Sequence, residues 1–168
     1  SDLMKSLAFS PDGRWLAGFG HAGVTCVWDV TASNLITRIA SRGGPPVGEA
    51  GIVAFSPAGD QLAIGDHDGS VHLHTLPGGQ LLADLPFGDN SVVNGVVALA
   101  FAPNGRWLAA TALSSNAPAA VWALPSRTPV HLPGLRNAVW CLAFDPSSTL
   151  LALGDGQLIR LWDLDQRR

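Results

Sequence analysis

The 168-residue chain is 47% hydrophobic and only 14% charged, a composition that suits a packed core and argues against a disordered segment. Its net charge of −3 includes no basic cluster, so nothing in it favours nucleic acid. No apolar run is long enough to span a bilayer, and the N-terminus lacks the shape of a signal peptide.

The two cysteines, Cys26 and Cys141, fall in predicted strands and are expected to be small buried thiols rather than a disulfide framework. Reduced thiols point weakly to the cytoplasm. Ser1 is expected to be a cut boundary and not a natural start.

Taken in order, the chain reads as short apolar runs separated by turn residues, with no helical stripe. The first unit places strands at 4–9, 15–19, 24–30 and 35–40. Ser10-Pro11-Asp12-Gly13 turns between the first two, because proline presets φ and glycine supplies a positive φ. The stretch Gly18 to Gly23 carries the glycine spacing of a dinucleotide loop. That loop must open a helix, and here a strand follows, so it reads as a strand end and a turn. The second unit places strands at 51–55, 61–65, 70–76 and 80–85, with Asp68-Gly69 as a hairpin signal. The third has strands at 96–101, 107–111, 119–124 and 129–132, with a longer connection over 112–118 that contains Ser114 and Ser115. The fourth has strands at 139–144, 150–154 and 157–164, after which too few residues remain for another strand.

A phrase recurs through these units: Ala8-Phe9-Ser10-Pro11, Ala54-Phe55-Ser56-Pro57, Ala100-Phe101-Ala102-Pro103 and Ala143-Phe144-Asp145-Pro146. Its period of roughly 45 residues signals stacked supersecondary units. The third strand ends in Val27-Trp28-Asp29 in the first unit and Leu161-Trp162-Asp163 in the fourth. With the Phe-Ser-Pro-Asp-Gly phrase upstream, the chain resembles the WD-repeat β-propeller family. That resemblance implies an all-β propeller arc of four antiparallel blades, over about 4–40, 51–85, 96–132 and 139–164, with the last blade lacking its outer strand. The second and third units depart from it, with His74-Thr75 and Trp122-Ala123 at the Trp-Asp position. The Gly-His pair common before the first strand is absent, and Leu135 stands near that place in the fourth unit.

Runs such as 96–101 are continuously apolar, so each sheet needs cover on both faces. Phe9, Phe55, Phe101 and Phe144 are expected at equivalent core positions between blades. An arc of four leaves two bare ends. An exposed face of roughly 500 Å² forgoes on the order of 12 kcal/mol of burial. A second chain completing an eight-bladed ring, a dimer of half-rings, is the expected repair, and a closed four-bladed monomer is the alternative.

For function, the resemblance implies a non-catalytic scaffold with no cofactor, binding a protein or peptide at the channel mouth. By register the mouth positions are Lys5, Gly51, Val97 and Trp140. Trp140 is the expected anchor, because exposed aromatics carry interfaces; packing against a neighbouring blade is the competing reading. The glycine- and proline-rich connections over 41–51 and 86–95 border that mouth. The alternative is a ligand-binding, metal-binding or hydrolytic propeller using His67, His72 and His74. His72 and His74 alternate on one strand face, so they could share a zinc ion if His67 joined them. Asp66-His67-Asp68-Gly69 is too short for a calcium loop and reads as a turn.

Overall fold

A computed structural model of the protein describes residues 3–42, 51–85, 94–113, 119–124, 126–130, 132, 134–135 and 137–166. Among these residues fifteen strands form four antiparallel sheets, each a simple meander in chain order. The first sheet runs β1 (Met4–Phe9), β2 (Trp15–Gly20), β3 (Val24–Asp29) and β4 (Asn34–Ala40). The second holds β5 (Ile52–Phe55), β6 (Gln61–Gly65), β7 (Val71–Thr75) and β8 (Leu81–Leu85). The third holds β9 (Asn94–Phe101), β10 (Trp107–Leu113), β11 (Ala119–Ala123) and β12 (Thr128–Val130). The fourth has β13 (Val139–Phe144), β14 (Leu150–Asp155) and β15 (Leu158–Asp163). Among the described residues β15 has no outer neighbour.

Successive sheets meet through their first strands, β1 with β5, β5 with β9 and β9 with β13, and no comparable contact returns from β13 to β1. The sheets therefore form an open arc, a partial propeller whose first strands line the inside. Three apolar clusters fill the three spaces between blades. Gly65 shows how closely the sheets approach, since a Cβ placed there would lie 2.5 Å from Val96 Cγ1 on the next blade. Polar links add to this packing. Val53 N donates to Ser6 Oγ at 3.2 Å between the first two blades, and Asn104 N donates to Ser148 Oγ at 3.0 Å between the last two.

In three of its four copies the repeated phrase works through its third residue; the third copy has Ala102 there, which carries no hydrogen-bonding side chain. Ser10 Oγ accepts from Trp15 N at 2.8 Å, and Ser56 Oγ accepts from Gln61 N at 3.0 Å. Each closes the turn into the second strand. In the fourth blade Asp145 takes this place, and its Oδ1 accepts from Leu150 N at 2.6 Å and Thr149 N at 2.8 Å. The Ser147 hydroxyl leads this set of donors, which holds the Asp145 carboxyl down at about 2, below its ordinary 3.8.

A carboxyl with a depressed folded-state value stabilises the fold above its unfolded value and loses that contribution as pH falls through the folded one. Asp145→Ser restores the hydroxyl used by the first two blades. It is expected to leave the urea midpoint nearly unchanged at pH 7 and to flatten its decline between about pH 4 and pH 2. Urea titrations of both proteins across that range check this.

Burial departs from the sequence expectation at two places. Phe55 is buried and Phe101 and Phe144 are half-buried, but Phe9 is 62% exposed. The reason is directional. Phe55 packs in the cluster that holds Trp15, Ala17 and Phe19 of the first blade, and Phe101 packs with residues of the second. Each phenylalanine thus faces the preceding blade, and Phe9 has none to face. The cysteines also differ from expectation: Cys26 is half-buried and Cys141 is exposed. Both lie on the outermost blades, where one sheet face is uncovered.

Candidate functional site at the channel mouth

Lys5 and Trp140 are the second residues of β1 and β13, Val97 lies in the first half of β9, and Gly51 comes just before β5. Three of those strands carry a β-bulge there. The β1–β2 pairing slips by one residue between Met4 and Ser6, at Lys5. The β9–β10 pairing slips between Val96 and Ala98, at Val97. The β13–β14 pairing slips between Val139 and Leu142, across Trp140 and Cys141. In the second blade Gly51 just precedes β5 at φ 139°. Its backbone lies against the Phe19 ring, where a Cβ would sit 2.2 Å from Cε1, so only glycine fits.

A bulge adds a residue to one strand, bends it and re-aims its side chain. Here it recurs on the same rim. Trp140 is 62% exposed, whereas Lys5, Gly51 and Val97 are half-buried. Of the connections that border the rim, residues 43–50 and 86–93 lie outside the described residues, as do Ser114 and Ser115.

Behind this rim two buried aspartates brace the corners between second and third strands. Asp66, fully buried, accepts from Ser41 Oγ at 2.5 Å and from Arg42 N at 3.3 Å. These donors belong to the connection leaving the first blade. Asp155 accepts from Asn137 N at 3.1 Å and Asn137 Nδ2 at 3.0 Å. Arg160 Nε also donates to Asp155, at 2.5 Å, and this bond is the largest influence holding its carboxyl below the ordinary value. Ser41 and Asn137 thus supply donors from the segment where the Gly-His pair is missing. Asp66 and Asp155 occupy matching positions of their units, so a comparison of units would have exposed the pair. Their donors could not be found that way, because they lie in irregular connections.

The histidine cluster does not come together as a ligand set. His67 Nδ1 lies 3.3 Å from Asp66 Oδ1. His72 is held between Ser70 Oγ at 2.8 Å and Asp84 Oδ1 at 2.7 Å. His74 Nδ1 meets the Gly79 carbonyl at 3.0 Å, and burial pushes its imidazole below the ordinary value of 6.5. Among the described residues no three of His, Cys, Asp and Glu gather in a way that could hold a metal ion.

Ser70, His72 and Asp84 have the order of a nucleophile, a base and an orienting acid. The Ser70 hydroxyl, however, donates its proton to Asp68 Oδ1 at 2.6 Å, and Ser70 N donates to the same oxygen at 2.9 Å. The hydroxyl therefore closes a turn and is not poised for attack. Among the described residues no helix is long and apolar enough to cross a membrane.

Comparison with known proteins agrees with this geometry. The "WD domain, G-beta repeat" family matches residues 1–29, 51–75 and 127–163. The "Small ribosomal subunit protein RACK1" of Caenorhabditis elegans is 32% identical over 117 residues, which is 68% of this chain and 33% of that protein. The "WD repeat and SOCS box-containing protein 1" of Xenopus tropicalis is 34% identical over 108 residues, 62% of this chain and 24% of that one. The chain thus spans about a third or less of these relatives. A chain in the "Crystal Structure of Mitotic Checkpoint Complex" superposes with a TM-score of 0.81 at 21% identity, over 99% of this chain and 49% of that one. Matched along more than half its length, with propeller-type sheets in sequence order, the chain belongs to the WD-repeat family.

Proposed function

We propose that this chain is a non-catalytic scaffold that binds a protein or peptide at the channel mouth, with Trp140 as anchor and Lys5, Gly51 and Val97 around it. The observation that supports this is the recurring bulge on the inner rim, with a largely exposed tryptophan at one of its positions. Tryptophan buries a large area at low entropic cost and is enriched among residues whose truncation costs most at interfaces. The matching repeat model, and a relative whose own name carries the WD repeat, suit the same reading. The site requires no cofactor, metal or nucleic acid, and we place the protein in the cytoplasm.

A photo-crosslinking residue at position 140, compared with one at Leu81 on an outer strand, tests the mouth. The expected result is a discrete cross-linked protein species from position 140 only. Equal labelling from both positions would count against the rim as the binding site.

We propose further that a second copy closes the ring as two half-rings. The span of the superposition, about half of a propeller-bearing chain, supports this reading, as does the apolar character of both end faces.

A further inference from the structure

A cleft of about 360 Å³ opens between the second and third blades, at the end of the sheets opposite the mouth. Leu73, Leu82, Phe101 and Leu124 give it an apolar floor, and Arg106 and Arg127 stand at its edge. Arg127 Nη1 reaches across the boundary to the Leu82 carbonyl at 3.2 Å. Both arginines are exposed, and among the described residues no carboxylate forms an ion pair with either. The lining includes one acid, Asp60, whose Oδ1 accepts from Ser56 Oγ at 2.9 Å. The rim is therefore cationic on a chain whose net charge is −3.

The equivalent positions in the second blade differ. Asp60 matches Arg106, and Gly79, also at positive φ, matches Arg127. Gly79 sits tightly on the first blade, where a Cβ would lie 3.0 Å from Thr37 Oγ1 and 3.2 Å from Ile39 Cγ1. That boundary is closed by the Gly79 backbone and lacks both cations, so the first boundary does not share the two arginines of this cleft.

We infer that this side cleft binds an acidic linear peptide that inserts one aliphatic side chain onto the Leu73–Phe101 floor and sets carboxylates against Arg106 and Arg127. The volume is at the low end of ligand pockets, roughly 300–1,000 Å³. It suits one side chain with its flanking backbone. Guanidinium groups bind carboxylates in a bidentate fork, and an arginine beside an apolar pocket is a favoured interface anchor. This site is separate from the channel mouth.

The test is fluorescence anisotropy with a labelled peptide of one leucine flanked on both sides by glutamates, and a control peptide with serine in place of the leucine. Saturable binding of the leucine peptide is expected, weakened by at least about tenfold in Arg106→Glu and again in Arg127→Glu. Thermal melts of each variant confirm folding. The serine peptide is expected to lose binding by a similar factor, and Trp140→Ala is expected to leave binding unchanged. The proposal is overturned by no binding of the leucine peptide, by equal binding of the serine peptide, or by affinity that neither charge reversal alters. It is also overturned if Trp140→Ala weakens binding as much as Arg106→Glu does, because the peptide would then occupy the mouth.

Discussion

Trp122→Ala is expected to destabilise the protein by about 3–5 kcal/mol, the range for truncating a large buried aromatic. Trp122 is 0% exposed and is the largest of the fully buried side chains. It stands on β11 of the third blade, yet its cluster includes Ala63, Val71 and Leu73 of the second. Its removal would open a cavity between two rigid sheets, and neither sheet can collapse into the space without breaking its own ladder. The equivalent Trp28 on the first blade is only half-buried. Trp28→Ala is therefore expected to cost clearly less in the isolated chain. Urea denaturation of both variants at pH 7 makes the comparison. Equal losses would show that burial between blades does not set the cost.

The second large effect concerns the ends of the arc. Phe55, Phe101 and Phe144, with Trp122 and Trp162, face the blade before their own, so the matching face of the first blade presents Leu7, Phe9 and Trp28 to no blade of this chain. The opposite face of the fourth blade presents Ile159, 80% exposed, and Leu161, 65% exposed. These two surfaces correspond to the pair that meets inside the chain, where Phe55 of the second blade packs with Phe19 and Val27 of the first. If a second copy closes the ring, each chain offers its first blade to the other's fourth, and the twofold arrangement leaves no face bare. Native mass spectrometry is then expected to give twice the 17.5 kDa chain mass. Phe9→Asp combined with Leu161→Asp is expected to return it to the single-chain mass, because a buried unpaired carboxylate at each seam costs more than the seam can recover. A single-chain mass for the unaltered protein at micromolar concentration would rule out closure by self-association.

Both expectations bear on the binding proposed at the mouth. The mouth depends on bulges at the starts of innermost strands, and neighbouring blades hold those strands in place. Loss of Trp122 or of a ring partner should therefore disturb the rim without touching it. The side cleft lies on a single blade boundary and depends only on the second and third blades.

Much of this was readable from the chain alone. The recurrence of Phe-x-Pro, with turn residues between apolar runs, specified the strands closely because turn chemistry and alternation are local properties. The register of the repeat places Lys5, Val97 and Trp140 at one offset from their phenylalanines, and the pairing of each of those strands is bulged at that offset. Tertiary structure decided what depends on a neighbour. Phe9 and Phe55 stand in the same local phrase, yet one is exposed and the other buried, because burial is conferred by the adjacent sheet. Likewise Asp66 and Asp155 find their donors in Ser41 and Asn137, across irregular connections with no pattern to read. His67 and His72 both lie against Asp66, at 3.3 and 3.9 Å, whereas His74 is turned to the Gly79 carbonyl, an arrangement only the fold could assign.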